Sequence, residues 1–287
     1  MRINEKQKVI LDSLIVERLK DNPINISLVN SFKNAKNPTL EKVITTKNAF
    51  VKDRESSIAY YLVKTNKGDI LLYFSLKCGE LYEKLDMEKM ELAKETLRRL
   101  YIIEHKDGYK KDYVEKAEKF IQDHILEIQS IAPSLKSLAQ KKGLYEKDLK
   151  KELNKEVTRV LKTYSAVEIV EFCSNDNARN IWKKLNLPRK MGECIFWHYI
   201  VPKLASIQEI VGCEYVYLFA ADNTYDRVLS NYYQISLGFE ESNTLGTNKP
   251  HYDFMCYFLC QTIKTLLLRR EDFYNNFNPD ENIEDII

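Results

Sequence analysis

The chain has 287 residues, 44% of them hydrophobic and 30% charged, with a formal net charge of +2. This length and apolar content allow a sizeable core, and only eight glycines and seven prolines exclude a fibrous or low-complexity protein. The near-neutral balance gives no whole-molecule field for nucleic acid or an anionic membrane, and no apolar run approaches the roughly 20 residues of a spanning helix.

The N-terminal run MRINEKQKVILDSLIVERLKD scatters its charges and lacks a small-residue cleavage site, so it does not read as a secretory signal. Residues 58–63 and 69–75 are rich in β-formers. The segment Lys64-Thr65-Asn66-Lys67-Gly68 between them predicts a hairpin. The composition then changes. Between 84 and 163, 34 of 80 positions are charged, against 52 of the other 207.

Inside that block Met87, Met90, Leu92, Leu97, Leu100 and Tyr101 recur at helical spacing, followed by Tyr113, Ala117, Phe120, Ile121, Ile125 and Ile128. Lys106-Asp107-Gly108 and Ala132-Pro133-Ser134 punctuate two helices. A third is predicted from Lys142-Gly143 through Tyr164. Residues 136–163 carry nine Lys/Arg against four Asp/Glu, which suits either RNA phosphates or, the favoured reading, a solvated helix face.

Beyond the block come a strand at 166–172, a long helix at 195–211, a strand at 214–219, a helix at 226–236 and a final strand at 252–260. Strand, helix and buried strand in succession predict a parallel pair with a right-handed crossover. The expected fold class is α/β (α+β). It has a mixed, mostly antiparallel sheet flanked by helices, with an all-helical module of residues 84–163 inserted between two halves, 1–83 and 164–287.

Cysteines at 78, 173, 194, 213, 256 and 260 form no CxxC, and the four histidines supply no metal-ligand spacing. Free buried thiols in a soluble cytoplasmic protein, with no metal, are the expectation.

The stretch Arg189-Lys190-Met191-Gly192-Glu193-Cys194 is predicted as a turn ahead of the long helix starting at Ile195. A helix start offers unpaired N–H groups and the positive end of the dipole, and a glycine lets backbone approach a phosphate. A plain strand-to-helix bend is the other reading. Glu168 and Glu171 lie on the preceding strand, and strict alternation would turn them to opposite faces, leaving one to reach a cleft, with Glu171 favoured. Both solvated or salt-bridged is the alternative. His198 reads as packed rather than catalytic, Cys194 as a small residue rather than a nucleophile, and the aromatic tracts 215–219 and 252–258 as sheet core.

Taken in order, these residues resemble the GNAT superfamily of acyl-CoA N-acyltransferases. Arg189-x-x-Gly192-x-Cys194 is similar to that family's Q/R-x-x-G-x-G/A pyrophosphate loop. Asn231-Tyr232-Tyr233-Gln234-Ile235-Ser236-Leu237-Gly238-Phe239 is similar to its FYxxxGF signature. The likeness covers about 1–83 and 165–275, which makes the two halves parts of one GNAT-like domain.

It implies acetyl-CoA as cosubstrate, cradled by residues 189–195, and an amine acceptor. It further implies a backbone N–H near Phe172 or Cys173 as oxyanion donor, and Tyr232 or Tyr233 as the acid for the thiolate. Pantetheine would lie where strands 166–173 and 214–220 splay apart. Cys194 and Glu193 depart from the loop pattern. Residues 37–50 and 73–77 also resemble GNAT toxins that acetylate aminoacyl-tRNA. A non-catalytic GNAT-fold protein that recruits a protein partner through the helical module, or that pairs as a homodimer, completes the set of readings.

Overall fold

The computed structural model describes residues 2–84, 87–130, 160–222, 224–247 and 256–277. The expected RNA contact falls at 136–163, which lies outside these residues apart from 160–163.

Two compact units are present. One comprises Met1–Leu81, Tyr164–Ser242 and Asn248–Ile287, and the other Tyr82–Thr163 with Asn243–Thr247.

In the first unit, α1 (Glu5–Asp12) starts at a capping box. The Asn4 side chain accepts from the Gln7 N–H, and the Gln7 side chain accepts from the Asn4 N–H. A short strand β1 (Ile15–Arg18) follows, then α2 (Ile24–Leu28), α3 (Pro38–Thr45) and α4 (Lys47–Arg54). The predicted hairpin is β2 (Ala59–Lys64) and β3 (Ile70–Lys84), with Gly68 at φ 90° supplying the left-handed turn residue.

The helices α5 (Met87–Glu104), α6 (Lys111–Asp123) and α7 (Ile125–Ser130) belong to the second unit. Its described residues include a small core of Ala93 and Ile128 with Leu92, Leu97 and Ile121 packed on it.

The chain returns as β4 (Val160–Ser174), α8 (Arg179–Lys184) and a continuous helical run made of α9 (Met191–Ile195), a π-helical stretch Phe196–Ile200 and α10 (Val201–Val211). It ends with β5 (Tyr215–Ala221), α11 (Val228–Ile235), two short strands β6 (Glu240–Glu241) and β7 (Leu245–Gly246), β8 (Cys256–Thr262) and α12 (Ile263–Asn275).

The expected helix through Tyr164 is corrected here, since 160–164 are strand. Val160, Thr163 and Tyr164 favour the pleated backbone, and Tyr164 packs edge-on against Tyr215 of the neighbouring strand.

The eight strands run in the order β1-β2-β3-β4-β5-β8-β6, with β7 on β3. β1–β2, β2–β3, β5–β8 and β6–β8 are antiparallel, and β4–β5 is parallel. Links from Glu171 N–H to Ser75 Oγ and from Asn175 N–H to Leu71 O run in opposed directions, so β3 and β4 are antiparallel. This is the expected mixed, mostly antiparallel sheet flanked by helices.

Each face has its own core. On the first, Leu72, Phe74, Val167, Ile169, Val216 and Leu218 pack with α9, α10 and α12. On the second, Tyr60, Leu62, Ile70, Tyr73 and Cys173 pack with Phe32, Ile44 and Ala49. No helix among the described residues is long and apolar enough to cross a membrane.

Candidate active site

The β4–β5 ladder pairs Ala166 with Tyr215 through Ile169 with Leu218 and goes no further. Both strands continue, β4 to Ser174 and β5 to Ala221, so they part beyond that point. A gap between two parallel strands is the feature the family resemblance implies.

Side-chain alternation along β4 slips at the same place. Val167 and Ile169 sit in the first core, as does the ring of Phe172, whereas Cys173 belongs to the second. Glu171 touches Ser75 and lines a cavity with Tyr60, which puts it on the second face. Glu168 accepts from the Tyr217 hydroxyl at 3.4 Å, and Tyr217 lies between Val216 and Leu218 of the first core, so Glu168 is on the second face too. Both carboxylates therefore share one face. The expectation of opposite faces is corrected, because one extra residue between Ile169 and Phe172 breaks the period of two.

The backbone follows the same logic. The N–H groups of Glu171 and Asn175 point to β3. Alternation then turns the Phe172 N–H toward β5, into the gap. Cys173 points away from it. Its thiol is 3% exposed and hydrogen-bonded by Asn34, and burial pushes it up to about 12.

The two carboxyl groups differ in surroundings. Glu171 accepts from the Ser75 hydroxyl, while its own N–H donates to Ser75 Oγ at 3.1 Å. Burial raises its carboxyl above the ordinary range, opposed by the Ser75 bond and the charge of Lys52. Burial also raises Glu168, opposed by Lys77 and the Tyr217 bond. Lys42, Lys52, Tyr60, Thr39, Asn48 and Glu171 surround a cavity of about 260 Å3 on this face. Burial, aided by the Glu171 and Asp53 carboxylates, holds the Tyr60 phenol protonated.

On the other face the helix begins earlier than expected. Lys190 is the N-cap and Met191 the first helical residue, so Gly192 lies in the first turn rather than in a loop. The Cys194 N–H makes an i to i−4 bond to Lys190 O, leaving the N–H groups of Met191, Gly192 and Glu193 at the helix start.

A Cβ on Gly192 would stand 2.7 Å from Tyr232 Oη and 3.3 Å from Phe172 Cζ, so only glycine admits this packing. Tyr232 thus meets the helix start and β4 together, and Lys190 Nζ lies 5.9 Å from its ring. The neighbouring Tyr233 is 8% exposed and packs edge-on with Phe239 in the core.

The rest of the predicted loop is tied up. Arg189 Nη2 donates to Asn276 O at 3.0 Å, and Trp182 Nε1 donates to Arg189 O at 3.2 Å. Cys194 and Ile195 are fully buried in the first core. Glu193 is raised by burial, opposed by Arg189 and Lys190. His198 bridges Asp12 Oδ1 at 3.0 Å and Tyr274 Oη at 2.5 Å, a packed role. Among the described residues no group of three or more His, Cys, Asp or Glu is arranged to hold a metal.

Ser75, Tyr60, Lys42 and Lys52 were not singled out in the sequence. Ser75 stands out as the one aliphatic hydroxyl in the run Leu71-Leu72-Tyr73-Phe74-Ser75-Leu76. The lysines carry no local signal, because α3 and α4 bring them to β4 through tertiary contact.

No protein-family model matches the sequence, and comparison with curated proteins gives no match. Solved structures do resemble it. A mutant of the AtaT toxin bound to the C-terminus of the antitoxin AtaR and acetyl-CoA has a TM-score of 0.46 and 12% identity, over 90% of this chain and 98% of that one. AtaT complexed with acetyl-methionyl-tRNA gives 0.44 and 13%, over 89% and 98%. A mutant of KacT gives 0.45 and 10%, over 90% and 99%. At identities this low, residue roles come from the chain's own geometry.

Proposed function

We propose that the protein is an acetyl-CoA-dependent N-acyltransferase that acetylates an amine by direct attack. One observation carries the reading. The gap between β4 and β5 has the Phe172 N–H on its edge, a helix start roofed by Tyr232 on one face, and the Glu171 carboxylate on the other.

The helix start suits the pyrophosphate of acetyl-CoA. Three N–H groups precede the first helical bond, and Gly192 leaves no Cβ in the way. Lys190 adds a cation, and Met191, Glu193 and Ile195 continue the turn. The Arg189 side chain acts by holding Asn276.

When bound, acetyl-CoA supplies a thioester whose carbonyl is open to a nucleophile. The acceptor nitrogen forms a C–N bond to that carbon, and the C–S bond breaks. Phe172 N–H stabilises the developing oxyanion. Glu171, whose burial raises its carboxyl and so strengthens it as a base, takes the proton lost from nitrogen. Tyr232 gives its proton to the departing thiolate, and Tyr233 keeps the helix seated. Glu168, on the same face and bonded to Tyr217, adds negative potential.

Isothermal titration with acetyl-CoA and a thiol-release assay test the reading. Saturating acetyl-CoA at about 100 times its Kd contributes about 2.7 kcal/mol and raises the melting temperature. Y232F should lower kcat by about 100-fold while Y233F changes it several-fold at most. Absence of any acetyl-CoA binding sinks the enzyme reading.

That outcome would favour a binding protein, a reading supported by one observation. The Glu193 carboxyl sits at the helix start, where a phosphate would lie, and its charge, second to burial, opposes ionisation of Tyr232. Aminoacyl-tRNA as acceptor is distinguished by growth arrest on expression, abolished by Y232F.

A further inference from the structure

We propose that the cavity under α3 and α4 is the acceptor subsite, and that it selects a small amine bearing an anionic group, the amine at Glu171 and the anion between Lys42 and Lys52. The proposal rests on the transferase reading and names the substrate class of that site.

Position comes first. Glu171 forms part of the cavity wall, and the next residue, Phe172, turns its N–H into the strand gap. Phe172 N is bonded to the Glu171 carbonyl carbon, so the Glu171 side chain and the Phe172 N–H leave the backbone at adjoining positions, and an amine at the carboxylate is proposed to reach a carbonyl held at that N–H. Gly192 and Tyr232 pack against the Phe172 ring, which belongs to the first core. The cavity is on the second. Acceptor and cofactor would thus enter from opposite faces of the sheet and meet at the gap.

Charge comes second. Two lysines and one carboxylate line the cavity. Neither Lys42 nor Lys52 makes an ion pair among the described residues, and the Lys52 charge acts on Glu171. Lys42 is exposed and Lys52 half-buried, whereas the buried Asp53 and Lys64 are paired with Arg18 and Glu17. Thr39 and Asn48 add hydrogen-bonding groups beside the lysines. A site with one half-buried carboxylate and two ammonium groups complements a zwitterion or an amine with a net negative charge. A neutral alkylamine would leave both lysines unpaired, and a polyamine would be repelled.

Size comes third. A cavity of about 260 Å3 falls below the usual range for drug-sized ligands, so the part of the acceptor that enters is about as large as an amino acid.

The test uses the full chain with three probes: β-alanine, O-phosphoethanolamine and propylamine. Thiol release from acetyl-CoA should be faster by at least tenfold in kcat/KM with one of the anionic amines than with propylamine. Which anionic amine wins separates carboxylate from phosphate. The double variant K42Q/K52Q should raise KM for that amine at least tenfold, with the Kd for acetyl-CoA within twofold of the parent.

Preference for propylamine, or an unchanged KM in the double variant, overturns the subsite while leaving the transferase reading intact. If no amine releases thiol, direct titration of β-alanine and O-phosphoethanolamine decides separately. Binding lost in K42Q/K52Q supports the subsite, and no binding of either amine refutes it.

Discussion

At the scale of single residues, the site depends on two groups that have no freedom to change. Gly192 is one. A methyl group there would meet Tyr232 Oη at 2.7 Å and Phe172 Cζ at 3.3 Å, two rings packed on the first core. G192A should cost about 1–3 kcal/mol of stability by overpacking and weaken acetyl-CoA binding together with it. Equilibrium denaturation and calorimetric titration on the same preparation check both.

Glu171 is the other. Burial raises its folded carboxyl above the ordinary glutamate range. Above about pH 4.5 the folded protein keeps a proton that the unfolded chain has released, so stability falls as pH climbs through the folded value. E171Q removes that loss. Its melting temperature relative to the parent should rise as pH climbs above the ordinary glutamate range. A difference that stays flat across this window would mean the carboxyl is not raised.

At the scale of elements, α4 is held to the sheet by one buried carboxylate. Asp53 is fully buried and accepts from Arg18 Nε and Nη2, the Lys20 N–H and the Tyr60 N–H. This joins α4 to β1 and β2, and so sets where Lys52 and Tyr60 stand in the cavity. D53A strands a guanidinium and two backbone N–H groups, and should destabilise by about 3–5 kcal/mol as measured in urea. Loss below about 1 kcal/mol would show that water replaces these bonds.

The long helix carries its own irregularity. Pro202 has no N–H, and the π-helical stretch before it bonds Val201 N–H to Phe196 O, leaving Trp197 O for Arg270 Nε at 2.7 Å. That bond ties α12 to the helix whose first turn holds Gly192.

At the scale of the molecule, β3 ends at Lys84 and β4 begins at Val160 on neighbouring antiparallel strands. Joining them directly should leave the larger unit intact, because both cores of the sheet draw only on its own residues. A chain with 86–159 replaced by a short glycine–serine linker is expected to unfold cooperatively and to bind acetyl-CoA within tenfold of the parent. A molten or insoluble product would show that the larger unit needs the smaller.

Element type was legible in the sequence because hydrophobic periodicity is local. The hairpin around Gly68 and the helix before Gly238 follow from residues a few positions apart, and the parallel pair 166–169 with 215–218 from the order strand, helix, strand. β1 went unread, since four residues at a sheet edge leave too short a pattern. Third-helix placement at 160–164 failed where a charged run passes into a strand.

The catalytic geometry is another matter. Ser75 and Glu171 are 96 residues apart in the chain, and their bond accompanies a one-residue slip that no alternation rule foretells. Tyr232 and Tyr233 are equivalent in sequence, and only packing sends one toward Gly192 and the other into the core. The sequence by itself therefore determined a sheet of known strand types and a glycine at a helix start. Tertiary structure decided which side chains meet at the gap, because those contacts depend on long-range packing that local patterns do not encode.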